Sequence, residues 1–135
     1  MPLFEAGTTF LDHHAVNSQG VKAKYFIGMN NADMEDDVIV AFVFNTEHRM
    51  DLYQVGCNKE KQKFVLKPKD ISYLTDHTSV MLSLPRYYHL KEILDSTSIK
   101  ELERANESLS RQIKNCLDLK NVAVKFQQLI KDSFK

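Results

Sequence analysis

The rhythm of apolar and polar positions changes about two-thirds of the way along the chain. Up to about residue 84 the apolar residues come in short runs or alternate with polar ones, a spacing that predicts strands. Thr8-Thr9-Phe10-Leu11 is the first, followed by the polar loop Asn17-Ser18-Gln19-Gly20. Lys24-Tyr25-Phe26-Ile27 follows and is closed by Gly28 and the turn-prone pair Asn30-Asn31. Val38-Ile39-Val40-Ala41-Phe42-Val43-Phe44 is apolar throughout, as expected of a strand buried on both faces. Leu52-Tyr53-Gln54-Val55 and Phe64-Val65-Leu66 read as a hairpin across Gly56 to Lys61. Val80, Leu82 and Leu84 alternate with Ser79, Met81 and Ser83 until Pro85, which should stop the strand because it lacks an amide proton. Six short strands in this length predict a small barrel or a strongly bent sheet, since so many edges need closing or covering.

Beyond residue 87 the apolar spacing lengthens to that of helices. Tyr88 to Asp95 reads as a short one. Ser98-Ile99-Lys100-Glu101 fits a capping box, and Leu102, Leu109, Ile113 and Cys116 or Leu117 then return to one face. The spacing predicts a helix over 98–120, packed on the sheet and ended at Lys120-Asn121, with a last helix through Phe126, Leu129, Ile130 and Phe134. The expected architecture is thus α+β: a single domain over 1–135, with a β-rich module to about residue 84 and a helical tail over 87–134.

Composition narrows this only a little. A chain of 135 residues, 43% hydrophobic and 27% charged, can bury one core without staples. Eighteen basic and eighteen acidic residues cancel, so no overall pull toward nucleic acid follows. The charge is uneven, however: residues 1–50 hold seven acids and three bases, and residues 98–135 hold five acids and eight bases. Two cysteines, Cys57 and Cys116, are too few for a disulfide framework. The opening Met-Pro-Leu-Phe-Glu lacks the pattern of a secretory signal, and no apolar run approaches the roughly 20 residues of a membrane span. A cytoplasmic protein with reduced thiols and no membrane association is the expectation.

Motifs that carry chemistry are few. The five histidines lack metal-ligand spacing, and the acidic run Asp33, Glu35, Asp36, Asp37 lacks the glycine and terminal glutamate of a calcium loop. No metal and no cofactor is expected. Lys59, Lys61, Lys63, Lys67 and Lys69 all stand at odd positions, which in an extended segment would lean to one face. They read either as an edge-protecting hairpin or as a ridge that contacts phosphates.

Three blocks carry a resemblance. Gly7-Thr8-Thr9-Phe10 leads through a loop to Lys22-Ala23-Lys24-Tyr25-Phe26-Ile27; the apolar run Val38 to Phe44 ends in Asn45-Thr46; and Ser72-Tyr73-Leu74 precedes Asp76-His77-Thr78-Ser79-Val80-Met81-Leu82 and a helix. In order and spacing they resemble the PemK/MazF-like toxins of bacterial toxin–antitoxin systems, over most of the chain. The resemblance implies an SH3-like small β-barrel with C-terminal helices, usually a homodimer. It also implies a metal-independent endoribonuclease that cuts single-stranded RNA and is silenced by an antitoxin protein. Such enzymes use an arginine just before the second strand and a Thr or Ser ending the third. Thr46 stands where that hydroxyl belongs, whereas Lys22 and Lys24 replace the Arg-Pro pair. A lysine supplies charge without the bidentate fork. Lys59, Lys61, Lys63, Lys67 and Lys69 are the expected RNA contacts. Two other classes fit the same residues: a toxin of this type that binds a protein target, as the CcdB-type topoisomerase poisons do, and an unrelated small-barrel binding module.

Overall fold

β3 (Val38–Thr46) forms the middle of the molecule because its uninterrupted apolar run suits burial on both faces. The computed structural model describes residues 2–17 and 20–135. Around β3 lie β1 (Thr8–Asn17), β2 (Gly20–Gly28), β4 (Gly56–Asn58), β5 (Lys63–Leu66), β6 (Thr78–His89) and β7 (Ile99–Arg104). Three helices follow or interleave: α1 (Leu90–Asp95), α2 (Glu107–Cys116) and α3 (Val124–Ser133). The seven strands form one sheet in the order β4-β5-β6-β3-β2-β1-β7. Every pairing is antiparallel.

The expected α+β class is present, but the sheet is open. β4 and β7 end it on either side and do not pair with each other, so no closed barrel forms among the described residues. Two cores result, one per face. Val40, Phe42 and Phe44 meet Ile27, Val80 and Leu82 on one side, where Leu109 and Ile113 of α2 and Ile130 of α3 cover them. Ile39, Ala41 and Val43 meet Phe10, Phe26 and Tyr88 on the other, covered by Phe4 and by Leu90 and Ile93 of α1. The cover is close: a Cβ on Gly28 would overlap the Phe4 ring, so only glycine fits there.

Four elements differ from the sequence expectations. Leu52 to Val55 is not a strand; the hairpin partner of β5 is the shorter Gly56–Asn58. β6 does not stop at Pro85 but runs on to His89. Phe42 faces Pro85 whereas Phe44 already faces Val80, so residues 81–84 bulge away from β3 while Met81 stays paired with β5, and a proline is tolerated beside such an irregularity. Tyr88 and His89 therefore belong to the strand, and α1 begins at Leu90, with the Glu92 carboxylate accepting from the His89 amide at 2.9 Å. The expected capping box at Ser98 does not start a helix. Ile99–Arg104 is β7, paired with β1, because the exposed edge of β1 offers backbone partners that a surface helix would leave unused. α2 starts eight residues later, where Asn106 caps it by accepting from the Leu109 amide at 2.8 Å. The polar loop expected at Asn17 to Gly20 includes Ser18 and Gln19, which lie outside the described residues.

The expectation of two reduced thiols is corrected as well. Cys57 of β4 and Cys116 at the end of α2 form a disulfide, with their Cα atoms 5.5 Å apart across 59 residues of sequence. Contacts at such a separation leave no local pattern to read. In the chain-entropy account a loop of this length stabilises the fold by about 4 kcal/mol.

Because the Asn106 side chain satisfies a free amide of the first turn, Asn106→Ala should lower unfolding free energy by about 1 kcal/mol. Ser98→Ala should leave it nearly unchanged. Denaturant melts of the two variants check the assignment, and a larger loss at Ser98 would reverse it.

Candidate functional site

Where β2 and β3 leave the core, their side chains divide between the two faces of the sheet. The register Phe26 to Val43 sets Lys24 opposite Asn45, and the Lys24 ammonium donates to Asn45 Oδ1 at 2.9 Å. Successive strand residues point to opposite faces, so Thr46 turns away from Asn45 and Lys24. Thr46 lines a cleft of about 210 Å³ with Tyr25, Phe44, Tyr73, Asp76 and Thr78. Tyr25 stacks on Tyr73 there, with ring centroids 4.9 Å apart and planes 26° from parallel. Burial pushes the Tyr73 phenol up to about 12, against a smaller opposite pull from Thr9. Thr9 itself donates to the Glu103 carbonyl at 2.6 Å, and no well-formed hydrogen bond reaches the buried Tyr73 hydroxyl among the described residues.

The opposite face carries a polar cluster on an aromatic floor. Phe10, Phe26 and Tyr88 pack with centroids 5.1 to 5.5 Å apart. Tyr88 Oη donates to Asp12 Oδ2 at 2.7 Å, and the His14 amide donates to Asp12 Oδ1 at 2.9 Å. Asp12 lies directly across the ladder from Lys24. Arg86 comes from β6 and lies over the Phe26 ring, its Cζ 5.4 Å from the centroid. The Tyr88 phenol is pushed well above its ordinary value, first by burial and then by the bond to Asp12, with Arg86 opposing. Lys24 and Arg86 therefore present two cations on the same face as a buried carboxylate. Lys22, two residues before Lys24, shares that side of β2 and stands across from Ala15.

The five lysines expected to form a ridge are divided. Lys59 and Lys61 lie in a one-turn 3₁₀ segment between β4 and β5. The Lys59 ammonium donates to the Asn115 carbonyl at 3.2 Å. Lys69 adopts a left-handed backbone, φ 73°, and its ammonium donates to the Ser72 carbonyl at 3.3 Å. Lys67 is exposed. Lys63 is drawn inward: its ammonium lies 3.1 Å from Glu47 Oε1 and 4.2 Å from the Tyr53 ring centre. Ser79 donates to the same Glu47 oxygen at 2.7 Å.

Glu47 and Lys63 hold each other charged. Burial pushes the Glu47 carboxyl up, but the bonds from Ser79, Lys63 and the Arg49 amide outweigh it and leave the carboxyl below its ordinary value. Burial likewise pushes Lys63 down, and its bonds to Glu47 and Tyr53 more than restore it. The side chains of Lys63 and Glu47 are 19% and 7% exposed, so the pair is a structural link between β5 and the end of β3.

No motif in the sequence marks Asp12, Arg86, Tyr88 or Tyr25 as a site residue. Arg86 directly follows Pro85, where strand logic ends β6, and only the bulge returns it to the sheet. No protein-family model matches the chain, and no curated protein matches it. Among the described residues no helix is long and apolar enough to cross a membrane.

Glu47→Gln should lower stability at neutral pH by about 1–3 kcal/mol, because a largely buried ammonium loses its charged partner. A lowered carboxyl pKa adds stability that is present above the ordinary value of 4.5 and is lost as pH falls through the folded value. The gap between wild type and variant should therefore narrow in acid, which unfolding curves at stepped pH would show. A gap independent of pH would remove the ion pair from the account.

Proposed function

We propose that the chain is a toxin-like, metal-independent endoribonuclease of single-stranded RNA, held in check by an antitoxin protein and acting in the cytoplasm as a homodimer. One observation supports this reading above the others: Lys24 and Arg86 stand on one face of the sheet, beside the Asp12–Tyr88 pair. In such a reaction the ribose 2′-hydroxyl loses its proton and attacks the neighbouring phosphorus. A cyclic 2′,3′-phosphate forms, the bond to the 5′-oxygen breaks, and that oxygen takes up a proton. Charge gathers on the non-bridging oxygens, where fixed cations lower the barrier most. Arg86 offers the planar fork that the lysines in place of the Arg-Pro pair do not. Thr46, on the cleft side with Tyr25, holds the strand in this reading and leaves the charge work to the other face.

The same geometry favours a second reading. Lys24 and Thr46 point to opposite faces, so both cannot flank one phosphate. A non-catalytic module that binds RNA or a protein would need no such convergence.

A single assay separates the readings. With a fluorescent single-stranded RNA and a chelator present, wild type should cut. Arg86→Ala and Lys24→Ala should each slow cleavage by about two to three orders of magnitude with the fold intact by circular dichroism. Salt-dependent retention without cleavage, its log–log slope about −0.7 per contacted phosphate, would select the binding module. Neither cleavage nor retention would remove both RNA readings.

A further inference from the structure

The Cys57–Cys116 disulfide lies at the weakest margin of the sheet. β4 is three residues long, ends the sheet and, among the described residues, pairs with β5 alone. The segment before it bonds mainly to itself: the Gln54 amide donates to Asn58 Oδ1 at 3.1 Å, and Asn58 Nδ2 donates back to the Gln54 carbonyl at 2.8 Å. Across the seam, the far side of the hairpin is held differently. Gln62 Nε2 donates to the Cys116 carbonyl at 2.9 Å, while Gln62 Oε1 accepts from the Asp118 amide and from Asn121 Nδ2, both at 2.8 Å. Residues from 62 onward therefore have their own polar ties to the end of α2. At β4 the disulfide is the covalent tie.

The two cysteine residues differ in exposure. Cys116 belongs to a residue only 2% exposed, in the core beneath α2. Cys57 is half-buried and lines a surface cleft of about 390 Å³ with Leu52, Tyr53, Asn58 and Lys61. Lys59 also borders this cleft and reaches the Asn115 carbonyl, one residue before Cys116.

We propose that Cys57–Cys116 is a thiol–disulfide exchange site, a reducible clasp that a dithiol reductant opens from the Cys57 side to release β4 from α2. A thiolate of the reductant enters the cleft and bonds to Cys57 Sγ. The bond to Cys116 Sγ breaks, and Cys116 departs with the electron pair and takes a proton from water. The second thiol of the reductant, deprotonated, then displaces Cys57 and completes the reductant's own disulfide. Two electrons pass from the dithiol to the protein, and a disulfide oxidant of the same class reverses the step. Because Gln62 keeps its partners, the Lys59 carbonyl among them, opening stays local: β4 and the segment before it loosen while the following turn and β5 remain in place. This inference is independent of the RNA reading, since it concerns only this seam.

Hydrogen exchange on the full chain tests it, using dithiothreitol as the dithiol and intact mass to count thiols. The oxidised chain should be reduced under native conditions. Amides over 54–58 should then exchange about tenfold faster or more, with β3 and β6 unchanged. The double variant C57S/C116S should reproduce the reduced pattern, and the reduced wild-type chain provides the same reading if that variant does not fold. A purified chain with no disulfide in the absence of reductant would overturn the proposal. So would reduction only in denaturant, exchange over 54–58 unaffected by reduction, or faster exchange spreading into β3 and β6.

Discussion

The two-sided burial of β3 is the constraint on which the rest of the molecule depends. Residues 39–44 are all buried, alternately toward α2 and α3 and toward α1 and Phe4. A strand with no polar face cannot stand at an edge, so its neighbours must supply both ladder partners and two apolar covers. β2 and β6 flank it, and each contributes to both cores: Ile27 and Phe26 from β2, Leu82 and Tyr88 from β6. At roughly 25 cal/mol per Å² of apolar area removed from water, this double layer is the dominant favourable term of the fold.

That same central position separates the candidate site residues. A sheet with a core on each side is a partition, and neighbours in sequence on one strand face different environments. Asn45 and Thr46 are consecutive, yet one holds Lys24 beside the aromatic floor and the other lines the Tyr25–Tyr73 cleft. Lys24, Asn45 and Thr46 collect where β3 runs out of apolar residues, since beyond Phe44 its alternate positions no longer need cover. Asp12 is the exception that reaches inward. Its two bonds, to Tyr88 and to the His14 amide, offset the cost of holding a carboxylate that is 8% exposed.

The helical layer is joined to the sheet by two kinds of interaction. Leu109, Ile113 and Ile130 bury apolar area against β3 and its neighbours, which is non-directional and tolerant of small shifts. The seam between α2 and the β4–β5 hairpin is directional instead, made of the disulfide, the Gln62 bonds and the Lys59 bond to the Asn115 carbonyl. The first interaction holds the helices on the sheet, and the second sets where the lysine-bearing turn stands relative to α2.

Much of the strand content was legible because period-2 and continuous apolar runs are local signals. The continuous run of β3, the strand through Phe26 and Ile27, and the last helix through Ile130 stand where the pattern places them. Ile99–Arg104 carried a helical cap signal and became a strand, because pairing with the edge of β1 outweighs a propensity worth tenths of a kcal/mol per residue. Pro85 read as a stop, and the bulge beside it removed the need for its missing amide proton. Arg86, Asp12 and Tyr88 met only through that bulge, so no spacing along the chain could announce them. By itself the sequence determined the burial of the continuous run in β3 and the α+β class, since a strand with no polar position has no face to turn to water. Only the tertiary structure decided which face Lys24 and Thr46 occupy and that Cys57 meets Cys116, because register, bulges and contacts 59 residues apart depend on the whole chain closing on itself.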